Sequence, residues 1–247
     1  DFAPAGSRLY RIRRIPSPAL TTGGQATQPA SVRPSTLPDF RPPPNLLVNP
    51  SILRGFGPLA QFRRTEPNAL VLDRCCWRMR ESSWSEEMEV WQAQRAIRSA
   101  LGMRQVFGNG LTQRYLWAAE AHPGDGTPVE FRYAFGVGEV PEKTVRLALE
   151  RPGDFRITLN GAAVPAKPDG WFLDKSFETV PLSGLVAGRN ELVLACAYRN
   201  DMEVEDCFLL GDFAVDSQRA IVREPERLRF GDWCLQGYPH YCGSMVY

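Results

Sequence analysis

The sequence predicts a mainly β protein, a β-sandwich carrying one inserted α-helix and preceded by a Pro-rich extended segment. Three observations carry this expectation. From residue 129 onward, apolar and polar residues alternate with a period of two. Turn residues interrupt the alternation at short intervals. No helical pattern separates one strand from the next, as parallel βαβ units would require.

The elements follow in chain order. Residues 7–15 (SRLYRIRRI) have strand character, and residues 1–15 are expected to be the last strand of a preceding domain. Ten of the 21 prolines fall before residue 51, and residues 21–36 hold few large apolar side chains. Such a stretch buries too little surface to offset its ordering entropy, so residues 16–60 read as an extended linker. The β-sandwich is expected over residues 61–230. Residues 68–80 open it with a strand that has Leu70 and Leu72 on one face.

A helix is expected over residues 86–101. Ser83 and Glu86 have capping-box spacing, and Glu86, Glu87 and Glu89 suit a positive helix N-terminus. Val90, Trp91, Ala93, Ile97, Ala100 and Leu101 form its apolar stripe. Arg95 and Arg98 lie toward its negative end, and Gly102 suits a left-handed C-terminal cap. Trp91, Trp77 and Trp84 are expected in the core.

Strands then follow closely. Phe131, Tyr133, Phe135 and Val137 alternate with Arg132, Ala134 and Gly136. Val145, Leu147 and Leu149 repeat the pattern, as do Phe155, Ile157 and Leu159. Asn160-Gly161 marks a two-residue hairpin turn toward Val164. Residues 177–182 form a short strand. Residues 191–198, apolar on both faces, read as a buried central strand, and residues 208–215 close the series.

Composition narrows the partners. Acids and bases nearly cancel at a net charge of +1, so no basic excess points to nucleic acid or an anionic membrane. No run of about 18 apolar residues is present. The start lacks Met and a basic-then-apolar leader layout, and a segment of a larger protein is the expectation. The six cysteines (Cys75, Cys76, Cys196, Cys207, Cys234 and Cys242) contain no CxxC pair. They read as reduced, mostly buried thiols, which favours a cytoplasmic over a secreted setting, with a disulfide framework as the other reading. His122 and His240 are the only histidines and lack zinc-ligand spacing.

The runs FRYAFGV, VRLALERP, FRITLNGAAV, DKSFETVPLSGLVAGRNELVLACAY and LLGDFAV, spanning residues 129–216, resemble a known family. The I-x-L-N-G turn and the following G-x-N-x-L are its most telling pair. The family is the galactose-binding-like jelly roll, the sugar-binding domain of large bacterial glycoside hydrolases of family 2-like or rhamnosidase-like type. The resemblance implies a non-catalytic, carbohydrate-binding-type accessory region of a multidomain enzyme. Its partners would be a catalytic (β/α)8 barrel, neighbouring β-sandwich domains and an oligosaccharide. Residues 231–247 (GDWCLQGYPHYCGSMVY) resemble the start of the following β element. A purely structural spacer and a free-standing sugar-binding module are the other readings.

Sugar binding uses aromatic faces beside polar groups that read hydroxyls. Trp171 in a turn-rich stretch, with Lys167 and Asp174 nearby, is the first candidate site. Tyr238, His240 and Tyr241 are the second. Packing between domains is the alternative for both sets. Asp201, Glu203, Glu205 and Asp206 form the densest acidic cluster, which suits calcium or a solvated edge loop. No other cofactor is expected. No phosphate loop, GxSxG or convincing Ser–His–acid set occurs.

Overall fold

The computed structural model describes residues 59–106 and 117–247; the strand expected over residues 1–15 and nearly all of the expected linker lie outside them. The described strands are β1 (Ala60–Gln61), β2 (Arg63–Arg64), β3 (Asn68–Leu72), β4 (Arg74–Met79) and β5 (Met88–Glu89), followed by helix α1 (Val90–Ala100). After it come β6 (Thr127–Val137), β7 (Arg146–Glu150), β8 (Arg156–Leu159), β9 (Ala162–Val164), β10 (Gly170–Phe172), β11 (Asp174–Pro181) and β12 (Gly188–Tyr198). The series ends with β13 (Cys207–Gly211), β14 (Ala214–Val215), β15 (Ile221–Val222), β16 (Arg227–Leu228) and β17 (Met245–Val246).

The architecture is mainly β and sandwich-like. A five-stranded sheet has the order β10-β11-β7-β13-β3. The larger sheet has the order β14-β15-β6-β12-β8-β9, with β4 and β5 joined to β6. Strand pairings are antiparallel except for the parallel bridge between Ile221 and Val137. One core lies between the sheets. Phe131, Tyr133, Leu192, Leu194, Ile157 and Leu159 enter it from the larger sheet, and Leu70, Leu147, Val180 and Leu209 from the smaller. Each fully buried Leu, Ile or Phe there contributes roughly 1.5–3 kcal/mol.

The chain crosses between sheets at two aspartates. The strand expected over residues 68–80 is divided at Asp73: β3 pairs with β13 in the small sheet, whereas β4 pairs with β6 in the large one. Asp73 holds this corner, because its carbonyl accepts the Val90 N–H at 2.9 Å and its carboxylate accepts from Arg219 at 2.6 Å. The run expected over residues 208–215 is likewise split at Asp212 into β13 and β14. Strand β12 is central, flanked by β6 and β8, but only one face is buried; Glu191, Val193, Ala195 and Ala197 point outward.

The two motif turns meet. Asn160 and Gly161 have φ of 51° and 79°, which suits the two-residue hairpin joining β8 to β9. The Asn160 side chain donates to Asn190 Oδ1 at 2.8 Å and to Gly184 O at 3.0 Å, and accepts the Glu191 N–H at 2.9 Å. Asn190 in turn donates to Val186 O at 2.7 Å. The asparagines of I-x-L-N-G and G-x-N-x-L therefore lock one sheet end together.

The helix begins later than the sequence implies. Ser85 is taken by β4: its backbone N–H donates to Trp77 O and its hydroxyl accepts the Trp77 N–H, each at 2.9 Å. Met88 and Glu89 then pair with β4, so α1 starts at Val90. Gly102 does take a left-handed φ of 70° after the last turn. The buried face consists of Val90, Ala93, Gln94, Ile97 and Arg98. Trp91, expected in the core, is 43% exposed, and Ala100 is also exposed. The Trp91 indole donates to Glu89, and Arg95 lies 5.8 Å from its ring. Trp77 packs against the core, while Trp84 is half-buried beneath Arg78 and Arg132 at 4.4 and 4.3 Å.

Polar residues on the inward helix face do what apolar ones cannot: they hold the loop after β12. Gln94 accepts the Val204 N–H. Arg98 is fully buried and donates to Asn200 O at 3.1 and 3.2 Å, Asn200 Oδ1 at 2.9 Å, Met202 O at 3.3 Å and Arg104 O. Asn200 passes the link on to Trp117 O at 2.9 Å and Glu120 O at 3.2 Å. A guanidinium suits this position, because its planar fork serves several carbonyls and its charge sits at the negative helix end. Replacing Arg98 with Met leaves those carbonyls unpaired, and a loss of about 2–4 kcal/mol is expected in urea unfolding. Arg98→Lys should recover only part of it; a variant within about 0.5 kcal/mol of wild type contradicts this role.

Candidate functional site

The outer faces of the two sheets differ. On the larger sheet the charged outward residues are mutually paired: Arg78 with Glu130 at 2.5 Å, Arg156 with Glu130 at 3.7 Å and Arg132 with Glu191 at 3.9 Å. A small concavity of about 300 Å³ lies among them, lined by Arg78, Trp84, Glu130 and Arg156. On the smaller sheet Ala69, Ala148, Phe172 and Leu210 form a second apolar cluster, with Phe208 packed on it. Phe172 and Phe177 each lie 5.5 Å from the Phe208 ring.

Above this apolar face runs a groove of about 990 Å³. Its floor includes Phe172, Leu210 and Thr179. One wall is the β10–β11 hairpin. The pairing register slips between Trp171 and Phe172, and Leu173 takes a positive φ of 61°. This bulge turns two large apolar side chains outward, leaving Trp171 57% and Leu173 60% exposed. Beside Trp171, Asp169 accepts from Arg146 Nε at 2.8 Å and from the Thr179 hydroxyl at 2.7 Å. Burial pushes the Asp169 carboxyl up, but Thr179 and Arg146 outweigh it and hold it below the usual aspartate value. Gly170 lets the hairpin lie close: a Cβ there would stand 3.1 Å from Thr179 Oγ1.

Residues 65–67 and 242–244 form the opposite wall. The Tyr241 hydroxyl builds it, accepting the N–H groups of Thr65 at 3.1 Å and Glu66 at 3.3 Å while donating to Ser244 O at 2.9 Å. Gly243 is required beneath, because a Cβ would come within 2.5 Å of that hydroxyl. Behind this wall Arg64, nearly buried, bonds Asp212 at 2.8 Å and Glu224 at 2.5 Å. Asp212 also accepts from Lys143 at 2.6 Å, and the Tyr238 hydroxyl donates to Glu224 at 2.7 Å. Lys143 first, and then Arg64, hold the Asp212 carboxyl below the ordinary aspartate value against the effect of burial.

Of the first candidate set, only Trp171 lines this groove. Lys167 is exposed outside it, and Asp174 accepts the Ser176 N–H at 2.8 Å to form a local turn. Of the second set, Tyr238 and Tyr241 are 1% and 5% exposed. Their rings pack with Leu228, Phe62 and Trp233, so neither offers a face to a ligand. His240 is exposed, and burial first, then Arg219, lowers its pKa. Residues 231–247 make contacts with the body: β17 pairs with β2, and Asn68 donates to Gly237 O at 2.9 Å. The groove residues that sequence reasoning missed include Glu66, Lys143, Arg146, Asp169, Thr179, Leu210 and Asp212. Outward positions on β7 and β13 were the available signal, since both strands carry apolar residues on their two faces.

The acidic cluster divides: Glu205 lies against Glu203 and near Asp206, while Asp201 turns to arginines. Asp201 is bound by Arg199 at 3.0 Å and Arg151 at 3.2 Å, which hold it below the usual value despite burial. Among the described residues no group of three or more His, Cys, Asp or Glu could hold a metal ion. Glu205 and Asp206 are pushed above their usual values, chiefly by burial. Glu203, Glu150 and Asp206 add to this at Glu205, and Asp73 and Glu89 at Asp206. All six cysteines are free. Burial pushes Cys196 and Cys207 up to about 12, so both stay as inert thiols, whereas Cys234 and Cys242 are exposed. No described helix is long and apolar enough to cross a membrane.

No protein-family model matches the chain, nor does any curated protein or solved structure.

Glu205 yields a test with a defined sign. Its folded pKa is raised, so the folded state holds that proton more tightly than the unfolded chain. The associated stability is complete in acid and is lost as pH rises through the folded value. Glu205→Gln should therefore raise the melting temperature at pH 7. The gain should vanish below about pH 4, where the carboxyl is protonated in both states. A lower melting temperature at pH 7 contradicts this account of Glu205.

Proposed function

We propose that this chain is a non-catalytic, carbohydrate-binding-type accessory region of a multidomain bacterial glycoside hydrolase, with the Trp171 groove as its saccharide site. The observation that carries the reading is Trp171 itself, more than half exposed on a bulged hairpin beside the Asp169–Arg146–Thr179 cluster. An indole face suits the apolar side of a pyranose ring, while a fixed carboxylate and guanidinium suit its hydroxyls. The groove's size lies within the range of small-molecule sites.

The galactose-binding-like jelly roll is the finer fold in this proposal. Its support is the resemblance of residues 129–216, together with the contact between Asn160 and Asn190. For the groove, the non-catalytic part is supported by Asp169 and Asp212. Cations hold both of these carboxyls ionised, whereas a glycosidase acid needs a raised pKa. Exposed Phe230, Leu235 and Val246 near the chain's end support packing against a catalytic barrel or a neighbouring β-sandwich.

Calorimetric titration with a panel of oligosaccharides tests the reading. At least one sugar is expected to bind at millimolar strength or tighter. Trp171→Ala should weaken that binding about tenfold or more, a cost of about 1.4 kcal/mol, while leaving stability within about 0.5 kcal/mol. Absence of binding throughout the panel leaves a structural spacer. Glycosidase turnover by the purified chain overturns the non-catalytic assignment.

A further inference from the structure

The groove's charges are arranged in a way that bears on which saccharide it takes. Two cations line it, Lys143 and Arg146, against three carboxylates, Glu66, Asp169 and Asp212. Both cations are already engaged: Arg146 binds Asp169 at 2.8 Å, and Lys143 binds Asp212 at 2.6 Å. Asp212 is held from behind by Arg64 as well, at 2.8 Å. A ligand carboxylate would have to displace one of these internal partners and would still face the remaining acids. A ligand hydroxyl meets no such penalty, because it can donate to a carboxylate and accept from a guanidinium at once. Asp169 retains lone pairs after binding Arg146 and Thr179, and Arg146 retains N–H groups after Nε is used.

Resting on the saccharide reading above, we propose that the groove selects uncharged saccharides against acidic ones, with Asp169 as the residue that sets this selectivity. Asp169 cancels the charge of Arg146 beside the Trp171 hairpin, so Arg146 is presented as half of a neutral pair. The pair matches two neighbouring hydroxyls on one sugar, one accepting from Arg146 and the other donating to Asp169. Trp171 and Leu173 cover the apolar ring face in the same bound position. Without the Asp169 charge, Arg146 becomes an open anion receptor of the kind that favours carboxylates.

The test is calorimetric titration of the full chain with galactotriose and cellotriose as uncharged probes and trigalacturonate as the acidic one, at low salt. Wild-type protein should bind an uncharged trisaccharide at least about tenfold tighter than trigalacturonate. Asp169→Asn keeps an acceptor for Thr179 but frees Arg146, and should shrink that preference about tenfold or reverse it. Glu66→Gln, at an exposed position, should move the preference the same way. Circular dichroism of both variants checks that the fold is retained. Trigalacturonate binding wild type as tightly as the uncharged sugars overturns the selectivity while leaving a saccharide site in place. So does an unchanged preference in both variants. If none of the three sugars binds wild type, the saccharide reading falls, and the selectivity with it.

Discussion

Arg64 is the constraint on which the groove depends. It stands on a two-residue strand that has little packing of its own, yet its guanidinium reaches Asp212, Glu224 and the carbonyl of Glu66. Asp212 is the point at which the chain leaves the small sheet, and Glu224 follows the short strand β15. One nearly buried cation thus joins residues 64–66 to two later segments, at Asp212 and Glu224. Burial works against its charge, but Glu224 and Asp212 outweigh that cost and hold the guanidinium protonated. Strand β17 then pairs with β2, and Tyr241 ties residues 65 and 66 to Ser244. The second wall of the groove is consequently a product of ion pairing and one phenol hydroxyl, not of a continuous sheet.

The contrast between the outer faces explains why the site lies on the smaller sheet. The larger sheet ends outward in a ladder of arginines and glutamates whose charges are spent on one another, with Trp84 covered by two guanidiniums. The smaller sheet presents Ala148, Phe172, Phe208 and Leu210 outward, an apolar face that the structure largely covers. The bulged β10–β11 hairpin and the Arg64-held wall supply part of that cover and leave a channel between them. The positive φ at Leu173 is the local conformation that turns Trp171 and Leu173 toward this channel.

Much of the sandwich could be read from the sequence, because its information is local. The period of two placed Phe131, Tyr133 and Phe135 inward, and Asn160-Gly161 announced a hairpin that the backbone adopts. The helix was legible as an element, and Val90, Ala93 and Ile97 face inward as expected, but its buried polar residues were not. Apolar spacing favoured Trp91, whereas Gln94 and Arg98 are buried because the loop after β12 offers carbonyl and amide partners that the sequence does not reveal. Trp171 stood out from its turn-rich surroundings. The rest of the groove did not, since residues 65, 146, 179, 211 and 243 become neighbours only through strand register and the two aspartate corners. Tyr238 and Tyr241 illustrate the converse: a loop rich in Gly and Pro suggested exposure, but these rings are the small core of that loop.

We propose that the Trp171 channel, on a sheet face closed by the Arg64 network, is a saccharide site. Two-dimensional ¹H–¹⁵N NMR of the labelled chain, titrated with a sugar that binds, reads this residue by residue. The account predicts the largest shifts at the Trp171 indole N–H and at the amides of Gly170, Thr179 and Gly211, with Arg78, Trp84 and Glu130 unmoved. Shifts centred on the Trp84 face, or spread over the terminal cluster around Tyr238, would contradict it.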